Sequence, residues 1–193
     1  ERGKIMAPVA QGEPTNRTGT KTTFKPDREI FKDESLTYDF TTLANRFREL
    51  AFLNAGLHIS LTDERTGKKQ DFQYATGIAE FVRYMNQSKK ALHNDVVYFK
   101  GEKDEVEVEI AMQWNDSYSE SIFTYCNNIN THEGGTHLVG FRAALTRTTN
   151  AYATEKNLLK DLKTNLEGED IREGLAAVIS VKVREPQFEG QTK

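Results

Sequence analysis

From Glu105 to Trp114 the chain alternates between acidic and apolar residues. Val106, Val108, Ile110, Met112 and Trp114 fall on one side of an extended segment, and Glu105, Glu107 and Glu109 on the other. A period of two does not suit a helix. It predicts a strand with one face against a core and the acidic face toward water. The turn Gly101–Asp104 joins this strand to a partner at Val96–Phe99. Asn115, Asp116 and Ser117 turn the chain again toward a strand at Ser121–Cys126, which together read as an antiparallel meander. Ala176 to Val183 is apolar and β-branched, the pattern of a central strand.

The segments between these strands have helical spacing. Phe40, Leu43, Phe47, Leu50 and Asn54 share a face after Asp39 and before Gly56. Ile78, Phe81, Val82 and Met85 do so after Thr76 and Gly77. Leu138, Phe141, Leu145, Thr149 and Tyr152 make a third stripe over about 137–152. Lys156 to Leu166 is polar and expected to be helical in part, and Asp170 with Glu173 resembles a capping box. Leu57, Ile59 and Leu61 alternate as a strand, with a turn at Arg65–Lys68 and a return at Gln70–Tyr74. Residues 1–27 read as loop-like, with a short strand candidate at Lys21–Phe24 stopped by Pro26. That strand lacks partners of its own, which implies a chain beginning inside a larger domain. The order of elements predicts an α+β domain whose sheet is covered by helices on one face.

Bulk properties narrow the chemistry. A net charge of −3 over 193 residues gives no global basic field, so any contact with nucleic acid is local. The single cysteine, Cys126, excludes a disulfide framework and a cysteine-rich zinc site, and fits a reducing, cytoplasmic setting. Apolar runs fall short of the roughly 20 residues of a membrane-spanning helix. His132 and Glu133 resemble the start of a helical zinc motif. The position four residues after His132 is Thr136, so no metal site is expected.

Three segments carry a family resemblance. Phe188–Lys193 (Phe-Glu-Gly-Gln-Thr-Lys), Thr131–Arg142 with its Gly134–Gly135 pair, and Leu50–Asn54 occur in the order found in the ATP-hydrolysing B subunits of bacterial type II DNA topoisomerases. The resemblance runs from about residue 19 to the end. Gln113–Asp116 and the run Arg142 to Asn150 look more like the gyrase lineage than the topoisomerase IV lineage, which stays as the alternative. Pro186 remains where the family often has a further proline at the position of Arg184.

The resemblance implies a transducer domain over 28–193, with the fold of ribosomal protein S5 domain 2 and a left-handed βαβ crossover. General rules favour a right-handed crossover, so that expectation rests on the likeness alone. Residues 1–27 would be the last strands of a GHKL-type ATPase domain. The cofactors implied are ATP and Mg2+, both held mainly by residues outside this chain. The implied partners are double-stranded DNA, the gyrase A protein and a further B-type protomer on ATP binding, with no membrane partner. The chain alone is expected to be inactive.

The resemblance also assigns residues. Lys193 and Gln191 would contact the ATP γ-phosphate, where positive charge is needed as the phosphoryl group transfers. Arg142 has two readings. It lines a cavity that holds a DNA segment, or it is a helix-edge arginine in a salt bridge. Arg147 reads as an ordinary surface arginine. Gly134–Thr136 reads as a flexible loop with a threonine cap rather than an anion nest, because no lysine follows the glycines. A stand-alone nucleic-acid-binding module of the same fold is a competing class, and the acidic net charge argues against it.

Overall fold

A computed structural model describes residues 4–32, 37–160 and 164–188. It divides into two compact units, Glu1–Asp39 and Phe40–Lys193. In the first, the described residues form no strand or helix. Lys21–Phe24 is irregular because an extended segment without a ladder partner leaves its amides to solvent. Its local order is a turn at Asp27, whose backbone carbonyl accepts from the amides of Ile30 and Phe31, and an edge-to-face contact of Phe24 with Tyr38.

The second unit begins with α1 (Phe40–Leu53), followed by the hairpin β1 (Ile59–Asp63) and β2 (Lys68–Phe72). The helix buries Ala44, Ala51, Phe52 and Leu53. Phe40 and Phe47 are only partly covered, because the two alanines let the helix lie close on Phe72 of the hairpin. Next come α2 (Ile78–Met85), β3 (Val97–Lys103), β4 (Val106–Trp114), β5 (Ser121–Cys126) and the two-residue β6 (Ile129–Asn130). The chain ends with α3 (Thr136–Glu155), α4 (Gly168–Arg172) and β7 (Leu175–Lys182). The main sheet has the order β3-β4-β7-β5-β6.

The meander expected from β3 through β5 is interrupted. β7 lies between β4, to which it is antiparallel, and β5, to which it is parallel. It takes the centre because seven of its eight residues are apolar or small and buried on both faces, whereas β4 carries glutamates that need water or partners. The crossover from β5 to β7 runs through α3 and α4.

Helices cover both faces of the sheet, not one. On the first face Ala111, Tyr125, Ala176 and Val178 meet Phe52, Ile78, Phe81 and Val82 of α1 and α2. On the second, Ile110, Leu175, Ala177 and Ile179 meet Phe141 of α3, with Leu138 and Leu145 partly buried. The alternation in β4 therefore separates two cores. Its acidic side is wet only toward Val106, and toward Trp114 the same side carries buried Ala111 and Gln113 under α2.

Of the stretch expected to be helical in part, Lys156–Lys160 is a turn and 161–163 lie outside the described residues. Other local expectations shift: Tyr152 is exposed, and the capping box of α4 is formed by Glu167 and Asp170, three residues before the expected pair. Trp114 is mostly covered, as its place on the apolar face of β4 predicts: it packs against the core that holds Phe141, and its indole N–H donates to the Ile171 carbonyl of α4 (2.8 Å). Gly174 then brings the chain into β7. It has φ +72°, and a β-carbon there would lie 2.3 Å from the Asn115 carbonyl oxygen, so this close crossing requires glycine. At the other end of β7, the Asn127 side chain accepts from the Val183 amide (2.9 Å) and donates to its carbonyl (2.8 Å).

Candidate functional site: the α3 face and the terminal loop

Gln191 and Lys193 lie outside the described residues, as do Glu189 and Gly190. Of the residues singled out from sequence, Arg142 is the one with a described environment in a polar cluster. It sits in the second turn of α3, one position past Phe141, whose ring anchors the helix on the sheet. Arg142 Nη2 donates to Glu120 Oε1, and Glu120 Oε2 accepts from Arg172 Nε at 2.7 Å. The three side chains come from different places. Arg142 is on α3, Glu120 ends the loop before β5, and Arg172 ends α4. Exposure of the side chain rises along the bridge, from 16% at Arg172 to 32% at Glu120 and 39% at Arg142.

Arg147 is exposed on the same helix. Glu107 and Glu109 are on the face of β4 opposite to α3. Glu107 is paired with Lys100 (3.2 Å) and Lys182 (3.9 Å), and Glu109 accepts from the Tyr98 hydroxyl (2.9 Å). The lysine beside it holds the Glu107 carboxyl below its usual pKa, while burial and Glu109 raise that of Tyr98. Arg184, where the family often has proline, pairs with Glu105 at 3.3 Å in a largely exposed contact. Exposed pairs of this kind contribute little to stability.

Gly134 and Gly135 have φ of +92° and +90° and lead directly into α3, with no side-chain cap. The expected threonine cap is absent because Thr136 is already the first helical residue. The loop is held from below. Thr131 Oγ1 is 2.7 Å from Thr124 Oγ1 and 3.2 Å from His137 Nε2, and burial lowers the His137 pKa. Among the described residues no group of three or more His, Cys, Asp or Glu side chains could hold a metal ion. Burial raises the pKa of Cys126, which keeps it a thiol.

The sequence profile of DNA gyrase B matches residues 77–193. This chain belongs to the DNA gyrase B family. It is 58% identical over 179 residues to the DNA gyrase B protein of Myxococcus xanthus, which is 93% of this chain and 22% of that protein. The 43K ATPase domain of Thermus thermophilus gyrase B, solved with an aminocoumarin, is 40% identical with a TM-score of 0.78, over 86% of this chain and 45% of that one. The topoisomerase IV ATP-binding domain of Francisella tularensis is less similar, 25% identical with a TM-score of 0.66 over 83% of this chain and 42% of that one. The chain spans 22–48% of the length of the gyrase B relatives it matches.

The structure also gives residues partners that the sequence pattern did not signal. Glu120 and Arg172 are one such pair. A lone acid in Ser119-Glu120-Ser121 and an arginine ending one helical turn carry no periodic signal. The second addition is a buried amide network. Asn86 donates to Gln113 (2.9 Å), Asn115 donates to Asn86 (3.0 Å), and Gln113 donates to the His93 carbonyl (2.8 Å). A glutamine in line with Glu107 and Glu109 signalled only a polar strand face. Its burial depends on α2.

Proposed function

We propose that this chain is the transducer region of the ATP-hydrolysing component of a bacterial type II DNA topoisomerase of the gyrase kind. Residues 28–193 form the transducer and 1–27 close the nucleotide-binding fold. The observation that carries the reading is the likeness to the Thermus gyrase B ATPase domain, supported by the family match through the terminal loop. The corresponding component of topoisomerase IV is the weaker alternative, on the lower likeness to its ATP-binding domain.

In this reading the full protein works in the cytoplasm with the gyrase A protein. It couples ATP binding and hydrolysis to DNA strand passage and negative supercoiling, and a second copy of gyrase B joins on ATP binding. Lys193 and Gln191 meet the γ-phosphate, the lysine as a compact cation and the glutamine as a neutral donor. Magnesium, held mainly by residues outside this chain, would neutralise charge on the phosphates. Arg142 contacts a phosphate of double-stranded DNA, which needs a positioned cation and no base readout. Among the described residues no helix is long and apolar enough to cross a membrane.

The test is Lys193→Ala in the full-length protein. ATP hydrolysis should fall by about 10²–10³, the scale for losing one preorganised electrostatic contact, with affinity for a non-hydrolysable ATP analogue largely kept. Hydrolysis at the normal rate would remove the terminal loop from the nucleotide site and sink the reading.

A further inference from the structure

The Arg142–Glu120–Arg172 bridge holds two cations on one carboxylate, leaving a formal excess of one positive charge at its open end. Arg172, the least exposed member, belongs to a fixed element. Trp114 Nε1 holds the adjacent Ile171 carbonyl, and the Asn115 amide holds that of Gly174 (2.9 Å). Arg142, the most exposed, is bound through Nη2, and its buried Nε has no hydrogen-bond partner among the described residues. A guanidinium has five donors in a planar fork, so this one is under-used where it stands.

We propose that Glu120 is an exchangeable counter-ion for Arg142. A phosphate of double-stranded DNA takes Arg142 from Glu120, and Arg172 keeps the carboxylate. The proposal rests on the reading of Arg142 as a DNA contact. A carboxylate with Arg142 as its one partner would be stranded when that partner left, and an unpaired, partly buried charge is expensive. With Arg172 bound to its other oxygen, Glu120 stays paired throughout. Release then costs only the outer half of the bridge, which is accessible to solvent and weak. When the DNA segment moves on, Glu120 recaptures Arg142. The arrangement limits how tightly the face grips DNA and makes the grip reversible.

The test uses the full-length protein with linear double-stranded DNA, reading the DNA concentration that half-saturates stimulation of ATP hydrolysis. Glu120→Gln removes the competitor and should lower that concentration about two- to fivefold, the range for a partly exposed ion pair. Arg172→Gln leaves Glu120 with Arg142 alone and should raise it, and Arg172→Lys should restore it in part. These opposite directions are the signature, since a purely structural role would move both variants the same way. In an Arg142→Ala background the gain from Glu120→Gln should vanish. A gain that persists there, or a Glu120→Gln variant with an unchanged or higher half-saturating concentration, overturns the exchange. If Arg172→Gln fails to fold, the Glu120 and Arg142 cycle decides the matter alone. If Arg142→Ala leaves the DNA response intact, the reading of α3 as a DNA face fails first. If it weakens the response while Glu120→Gln does not strengthen it, only the exchange fails.

Discussion

The two faces of the central sheet are built differently. On the first face the eight residues of α2 bury Ile78, Ala79, Phe81 and Val82, and Phe52 stacks between Tyr74 and Phe81 at centroid distances of 3.8 and 4.8 Å. On the second, the 20 residues of α3 bury only Phe141 and Ala153. The short helix is a wedge of core. The long one is a surface element, anchored chiefly by one ring, that carries Arg142 at its edge. Stability is concentrated where no functional residue is proposed, and the lightly anchored face holds the cations. Elements that respond to ligands are drawn from the less stable parts of a fold, and α3 fits that rule.

Substitutions can break this contrast. Phe52→Ala should lower the unfolding free energy by about 3–5 kcal/mol, the scale for an aromatic removed from a core. Leu138→Ala on α3 should lower it by only about 1–2 kcal/mol, because that side chain is half-buried. Urea midpoints at constant slope measure both, and equal losses would show that the faces are not mechanically distinct. An effect smaller than that of Phe52→Ala sharpens the contrast at the end of the first face. Asn86→Ala leaves Gln113 Oε1 and Asn115 Nδ2 without their partner and should cost about 1–3 kcal/mol. A loss below about 0.5 kcal/mol, the range for a surface change, would mean water takes over those bonds.

The smallest effect concerns His137, beneath the glycine pair. Burial lowers its pKa from the ordinary 6.5, so as pH falls the unfolded chain takes up this proton first. Its contribution is therefore intact above about pH 6.5 and is lost as pH falls through the lowered folded value. His137→Gln should flatten the acid side of the stability profile without moving the neutral plateau much. An unchanged acid slope would assign that slope to other groups.

The strands and helices at 78–85, 106–114, 121–126 and 175–182 were legible in sequence because each has a clear period or an apolar run of fitting length. Their pairing was not. The placement of β7 between β4 and β5 depends on contacts distant in sequence, and the adjacency of β4 and β5 along the chain favoured a meander. The same limit hid the covering of the first face, since Ala111 and Gln113 read as the end of a solvated edge until α2 is laid over them. At the site, Arg142 was reached through the family likeness of the segment around it. Glu120 and Arg172 were not, because an ion pair spanning 52 residues leaves no local mark. The covering of Trp114 was legible from its place in β4, whereas the acceptor of its indole N–H, the Ile171 carbonyl 57 residues away, was not.

The double hydrogen bond between Asn127 and Val183 has a mechanical meaning. It fixes the place where tension on the chain beyond residue 183 enters the sheet. From there the pull runs along β7, whose ladders with β4 and β5 lie on both sides. Load in that direction shears the ladders, so their bonds resist together instead of opening one after another as in peeling. The amide clamp keeps the exit point beside the turn after β5, and a tug on the tail moves the sheet as a single plate.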